Sequence, residues 1–475
     1  MSAFPASDAV WKDRYAAIRT QVPPANPGEL IRMRLVELLN DGVSRRLTLV
    51  TAPRGNGKTT AVAHWANQSR HPVAWLSIEP LHNDPSYFLE HLIAAFQRVH
   101  PAIGRDVFPT LQSDASAAID AILMRMIDEM GMVLNDFVLV LDDVHLLRAR
   151  PVQQILAFLL THQPPRLRMV LIGESDPPLK VAELRSGDQL SELRGPHLNT
   201  TMDEGTALLN DVLELKLPYG EVSAVVAGSK AFPARVRVAG LALRGYPEMT
   251  ELVEDIERND EQGFAPLVDR ILDNCTPEQS EFLLRAALVD RLNPSLAQAL
   301  TGRETPGEIL ESLAATGVVM TRLDRDGHWY AVPPVLRAVL LDALRARSDG
   351  NLRELHLRAC LWYVQHGIVE RAVAHAREAG DLELAAQLIE ENAQAMLQAG
   401  RLYTFEQWLA AMPDALCDSR PRLAICHAWV GVIQRRFPTV HPYLEKAEQA
   451  AHLGDDPETI REDVDAIRAF LADQR

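Results

Sequence analysis

The sequence predicts an α/β core, a parallel sheet with helices on both faces, followed by a helical lid, a winged helix and an all-α superhelix of helix pairs. Three observations predict it. Between residues 30 and 200, helical patterns alternate with continuous apolar runs: LTLVTA at 47–52, VAWLS at 73–77, FVLVLD at 137–142 and RMVLIG at 168–173. Such runs between helices belong to strands covered on both faces. Between 276 and 347, helix patterns beginning at Pro277, Pro294 and Pro306 lead into VVMTRL, a DRDG turn, HWYAV and a last helix, the order of a winged helix. From 351 onward, amphipathic pairs such as ELHLRACLWYVQH and LELAAQLIEENAQAML are punctuated by Gly367, Gly380 and Gly400. They recur at roughly forty-residue spacing, as in a tetratricopeptide-like solenoid.

A chain of 475 residues, 47% apolar and 24% charged, is a folded globular protein too long for one core. Residues 1–29, Pro-rich from Val22 to Gly28, read as an arm lying on the next domain. The α/β core follows at 30–200. Residues 201–275 lose the strand signal and read as a lid of short amphipathic helices, one after Tyr219-Gly220 and one leading to Phe232-Pro233. The winged helix takes 276–347 and the helical repeats 348–475, the latter as the start of a longer sensor. Trp362, Tyr363, Trp408 and Trp429 fall at core spacing in those repeats, with a concave ligand surface as the alternative.

The formal charge of −16 argues against a broad nucleic-acid surface. The winged helix holds 8 Lys and Arg against 9 Asp and Glu, and its candidate recognition helix PGEILESLAA carries Glu308 and Glu311. It is expected to pack on the core rather than enter a DNA groove. The opening MSAFPASDAVWKDRY lacks a basic segment followed by an apolar run, and no stretch reaches membrane-spanning length, so a cytoplasmic location without membrane contact is expected. Cys275, Cys360, Cys417 and Cys426 show no CxxC spacing and read as free thiols. His356, His366 and His375 are scattered and do not read as a metal site.

The chemistry concentrates in Ala52-Pro53-Arg54-Gly55-Asn56-Gly57-Lys58-Thr59-Thr60, which follows an apolar strand and opens a helix. That is the context of a phosphate-binding loop. Gly55 and Gly57 let backbone N–H groups cradle phosphate oxygens, Lys58 is expected on the β- and γ-phosphates, and the Thr59 hydroxyl on Mg²⁺. FVLVLDD supports this reading from 84 residues beyond Lys58, with Asp142 expected in the Mg²⁺ shell and Asp143 orienting or activating water. ATP or ADP with Mg²⁺ is the predicted ligand.

LTLVTAPRGNGKTT, VAWLSIEPLHNDPSYFLEHLIAAFQ, VLVLDDVHLL, LIGESDPPLKVAELRSGDQLSELR, FPARVRVAGLALRG and FLLRAALVDRL occur in an order that resembles the MalT-like, LuxR-type regulators of the STAND P-loop ATPase class, over about residues 18–450. The resemblance implies a nucleotide-gated switch that rests with ADP, self-assembles with ATP and an inducer, and acts on DNA through a C-terminal helix-turn-helix. It places Pro233 beside the adenine, and Arg32 and Arg34 in a stretch enclosing the nucleotide. No such helix-turn-helix precedes the final AIRAFLADQR; a fragment of a longer regulator and a short protein acting through partners are the two expectations.

Two positions depart from those relatives. Glu174 stands where they commonly carry a γ-phosphate-sensing arginine, and Trp329-Tyr330-Ala331-Val332-Pro333 replaces a stretch whose histidine can reach the ADP β-phosphate. A carboxylate beside a phosphate is repulsive, and proline has no N–H to donate. The resulting expectation is a switch that binds nucleotide but hydrolyses it poorly or answers mainly to another signal, unless Arg185 or Arg194 supplies the charge. The competing readings are an AAA-type ATPase that remodels a partner and an interaction module holding nucleotide without turnover.

Overall fold

The structure, a computed structural model, describes residues 17–105, 107, 119–244, 265–315, 319–347, 351–453 and 457–473. The N-terminal MSAFPASDAVWKDRY, the end of the lid sequence at 245–264 and Val318 of VVMTRL lie outside the described residues.

The core opens with α1 (Met33–Gly42), β1 (Leu47–Thr51), α2 (Lys58–Gln68), β2 (Val73–Ser77) and α3 (Pro85–Gln97). It continues through α4 (Ile119–Gly131), β3 (Phe137–Asp142), α5 (Arg150–Thr161), β4 (Leu167–Gly173) and β5 (Leu190–Arg194). The sheet is parallel in the order β2-β3-β4-β1-β5. Alternate residues of the apolar runs face opposite ways. Leu49, Leu76, Leu139, Leu141, Met169 and Leu171 pack with α3, α4 and α5. Val50, Trp75, Val140, Val170 and Ile172 pack with α1 and α2. The four predicted strands are present; β5 is an addition. Its sequence LSELR buries only Leu190 and Leu193, so an edge strand with three polar residues of five gave no continuous apolar run.

Register sets the position of the site. Thr51 lies opposite Gly173 and Arg194, and Ser77 opposite Asp142, so the carboxyl ends of all five strands share one rim. In open α/β sheets ligands bind at that rim, where strand order reverses.

After the sheet come α6 (Met202–Thr206), a π-helical turn (Ala207–Val212), α7 (Tyr219–Gly228), α8 (Pro233–Leu243) and α9 (Ala265–Asp273). Phe232-Pro233 starts a helix instead of ending one: Phe232 is extended at the N-cap and Pro233 takes the first turn, where its missing N–H costs nothing. The winged helix follows as α10 (Pro277–Ala286), α11 (Pro294–Thr301), α12 (Pro306–Ala315), the short hairpin β6 (Thr321–Arg322) and β7 (Tyr330–Ala331), and α13 (Pro334–Arg347). Its wing is docked. Arg322 N–H donates to Asn26 Oδ1 at 2.7 Å, and Arg325 reaches Asn67 on α2.

The remaining chain is helical: α14 (Asn351–Gln365), α15 (Val369–Glu378), α16 (Leu382–Gln398), α17 (Leu402–Ala410), α18 (Asp414–Ser419), α19 (Pro421–Ile433), α20 (Phe437–Ala450) and α21 (Pro457–Asp473). Gly367, Gly380 and Gly400 end α14, α15 and α16 at φ of +66°, +71° and +65°, the left-handed C-cap that glycine adopts without a Cβ clash. Trp362, Tyr363 and Trp408 are buried in the helix core and Trp429 packs partly against it. The four cysteines are free thiols. Among the described residues no helix is long and apolar enough to cross a membrane.

Candidate nucleotide-binding site

The chain leaves β1 at Thr51 and turns through Ala52 to Gly57 before α2 begins at Lys58. Gly55 (φ +85°) and Gly57 (φ +69°) occupy left-handed backbone, which costs another residue roughly 1–2 kcal/mol. At Gly55 space is limiting as well. A Cβ on Gly55 would meet Val335 Cγ2 at 3.2 Å and Ala234 Cβ at 3.4 Å, and one on Gly57 would lie 3.9 Å from Pro233 Cβ and 4.0 Å from Arg32 Nη1. Ala234 N–H donates to the Gly55 carbonyl at 3.1 Å. The N-terminal turns of α2, α8 and α13 therefore converge on this loop, and helix N-termini favour anions.

Within the loop, Ala52 and Asn56 are buried, Pro53 and Arg54 are exposed on the rim, and Thr60 is half-buried in the first turn of α2. The buried Lys58 ammonium donates to the carbonyls of Ala52 (2.7 Å) and Pro53 (3.0 Å). Burial lowers its pKa, while Asp143, Glu174 and Asp142 act in the opposite direction. Thr59 Oγ1 donates to Asp142 Oδ1 at 3.0 Å. Asp142 ends β3 and is buried; desolvation first, then Asp143, pushes its carboxyl up. Asp143 follows in left-handed backbone at φ +61°, a conformation that few non-glycine residues adopt. Burial raises its carboxyl too, against the pull of His145 and Lys58.

The stretch before β1 reaches the loop through Arg32. Its Nη2 donates to Asn199 O (2.7 Å) and Glu204 Oε2 (2.8 Å), while Nε and Nη1 are buried without a hydrogen-bond partner. Arg34 is tied to His197 O at 2.8 Å and Glu204 Oε1 at 3.3 Å. The predicted residues Ala52 to Thr60, Asp142, Asp143, Arg32 and Pro233 are thus brought to one place, and Arg34 shares the carboxylate that anchors Arg32. Glu204, Asn199, His145 and Val335 join them without having been singled out. Thr201-x-x-Glu204 was legible as a capping box, and it does close the start of α6. Its second use, holding Arg32, spans 172 residues.

Glu174 follows β4. Its Oε1 lies 2.9 Å from Arg54 Nε and 3.3 Å from His145 Nε2. Arg185 pairs with Glu192 at 2.9 Å, and Arg194 pairs with Asp176 and Glu192, so both arginines considered as substitute charges are engaged by carboxylates. Pro333 accepts from Arg337 N–H at 2.8 Å and leads into α13, whose Val335 meets Gly55.

This donor set fits a nucleotide phosphate with a divalent cation. Lys58 and the two unpartnered Arg32 nitrogens, Nε and Nη1, suit phosphate oxygens, and the Thr59 hydroxyl beside the Asp142 carboxylate suits a hard cation such as Mg²⁺.

Comparison with known proteins gives two family matches, an AAA ATPase domain over residues 31–172 and a MalT winged helix domain over residues 268–352. The serine/threonine-protein kinase PknK of Mycobacterium tuberculosis is 31% identical over 459 residues, 95% of this chain and 41% of that protein. The HTH-type transcriptional regulator MalT of Yersinia enterocolitica is 28% identical over 449 residues, 93% of this chain and 49% of that protein. The chain thus spans less than half the length of either relative. A Signal Transduction ATPase with Numerous Domains (STAND) protein with a tetratricopeptide repeat sensor from Pyrococcus horikoshii shares the fold, with a TM-score of 0.65 at 15% identity over 96% of this chain and 66% of that one.

Proposed function

This chain is a MalT-like P-loop ATPase of the STAND class, and from that premise we propose that it is the nucleotide-controlled switch of a signal-transduction protein. ATP or ADP with Mg²⁺ occupies the loop from Ala52 to Thr60. Lys58 and Arg32 hold phosphates, Thr59 and Asp142 hold Mg²⁺, Asp143 orients water, and Pro233 bounds the adenine. The observation that carries this reading is the Thr59 to Asp142 hydrogen bond of 3.0 Å beside a buried Lys58, on a loop crowned by three helix N-termini.

The output lies in other parts of such proteins. One relative is named a kinase and another a transcriptional regulator, yet each aligns with nearly all of this chain and under half of itself. A shared module with different outputs is a switch. The helical repeats take an inducer or regulatory protein, nucleotide and inducer together control self-assembly, and DNA is contacted through a domain outside this sequence. Hydrolysis is slow, because Glu174 stands where relatives carry the arginine that senses the terminal phosphate; Pro333, without a donor, loosens the hold on ADP.

Calorimetric titration of this chain with ADP and ATP in Mg²⁺, together with phosphate release, tests the proposal. Both nucleotides should bind, Lys58→Ala should weaken them about ten- to a hundredfold, and phosphate release should stay below about one per second. Unchanged affinity in Lys58→Ala would refute the assignment of the loop. Release at ordinary enzyme rates would refute slow hydrolysis and favour a remodelling ATPase.

A further inference from the structure

The sequence sets an arginine at the tip of the phosphate loop and a glutamate just beyond β4, and the fold brings them together. Arg54 Nε lies 2.9 Å from Glu174 Oε1. The Arg54 side chain is otherwise open, 77% exposed, and Glu174 is 35% exposed. Both carry their charge into the same space as the loop lysine: Glu174, Asp142 and Asp143 raise the pKa of Lys58, and Arg54 lowers it. Glu174 also has a second partner in reach. His145 Nε2 is 3.3 Å from the same Oε1, and its Nδ1 is buried, without a hydrogen-bond partner, 3.8 Å from Asp143.

Two consequences follow from the charges. An unpaired carboxylate here would repel any phosphate chain, so the pairing with Arg54 keeps the rim close to neutral. A guanidinium forms stronger, frequently bidentate hydrogen bonds with a phosphate than with one oxygen of a half-exposed carboxylate. A terminal phosphate brought onto the loop would compete with Glu174 for Arg54, and a diphosphate lacks that group. His145 stands ready to keep Glu174 from facing the phosphate alone.

We propose that Arg54 is the residue by which this site distinguishes a nucleoside triphosphate from a diphosphate, leaving Glu174 for the terminal phosphate while Glu174 is retained by His145. The inference rests on the loop being a phosphate site. It differs from it in assigning the discrimination to a loop arginine restrained by an acid, with Glu174 as a positioning residue that tunes the preference.

The test is the ratio of dissociation constants for ADP and the β,γ-imido analogue of ATP, measured by calorimetry on this whole chain with Mg²⁺. Arg54→Ala should shift that ratio about tenfold against the analogue. Glu174→Gln, which keeps the shape and removes the charge, should shift it in the analogue's favour, and Arg54→Lys should fall between wild type and Arg54→Ala. Equal weakening of both nucleotides by Arg54→Ala, or a ratio unchanged in Arg54→Ala and Glu174→Gln, would overturn the inference while leaving the phosphate site standing. A wild-type chain that binds neither nucleotide would overturn both. Thermal unfolding without nucleotide checks that each variant is folded, which the exposure of Arg54 favours.

Discussion

His356 and His375 look like scattered polar residues in the sequence, yet packing of α14 on α15 sets their Nδ1 atoms 2.9 Å apart in a buried pair. The His375 ring also stacks on Tyr363, with centroids 5.4 Å apart. Only one of two facing Nδ1 atoms can hold a proton at that separation, so the pair cannot be doubly charged. Burial, then His356, pulls His375 down to about 3, and burial lowers His356 as well. Groups depressed below an unfolded value near 6.5 stabilise the fold fully above that pH and cease to do so as pH falls toward about 3. The melting temperature should therefore drop as pH is lowered from about 6.5 to about 4. The double variant His356→Leu/His375→Phe should flatten that limb in a fluorimetric melt. An unchanged slope would remove the pair from the account.

At the scale of elements, Asp84 shows a cap used across domains. Asp84 holds the N-cap backbone position of α3, but its side chain does not cap that helix. The carboxylate instead accepts the N–H groups of Tyr403 (2.6 Å) and Thr404 (3.2 Å) and the Thr404 hydroxyl, at the start of α17. The N-cap residue of α17 is Arg401, which has no side-chain acceptor, so the α/β core supplies what the repeat helix lacks. Asp84→Ala should cost about 1–2 kcal/mol, the range for lost N-caps. It should also speed hydrogen exchange at Tyr403 and Thr404, and unchanged exchange there would contradict the cap. Burial, against the bonds from Thr404 and Tyr403, pushes the Asp84 carboxyl up to about 6. A raised carboxyl contributes stability that is present below about 3.8 and lost as pH rises through about 6. This is opposite in sign to the histidine pair, so only the separate variants resolve the two.

Across the whole molecule, a polar knot joins four segments. Arg19 of the N-terminal arm pairs with Glu79 after β2 at 2.7 Å, and Arg371 on α15 lies 3.8 Å from Glu79 and 2.6 Å from Asp290 of the winged helix. Burial opposes the charge on Asp290, but Arg371, Arg291 and Arg337 overcome it and hold the carboxyl at about 2. Removing one partner of a partly buried pair leaves the other charge uncompensated. Arg371→Leu combined with Asp84→Ala should let the repeats swing from the α/β core while each part stays folded. Small-angle scattering would report a larger radius of gyration with an unchanged far-ultraviolet spectrum. A compact double variant would show that apolar contacts alone fix the arrangement.

The sequence by itself determined the local parts of this protein. Apolar runs gave four of the five strands of the core sheet, because strands buried on both faces need continuous apolar residues. Glycine and proline positions marked helix ends, and the loop from Ala52 to Thr60 with Asp142 and Asp143 marked the candidate phosphate site, because such motifs depend on spacing along a short segment. Tertiary structure decided what depends on partners distant in the chain: the edge strand β5, the hold of Glu204 on Arg32, the Asp84 cap on α17 and the pairing of Arg54 with Glu174. A side chain's residue type sets which bonds it can form. Which of them it makes is fixed only when folding brings a complementary group within about 3 Å.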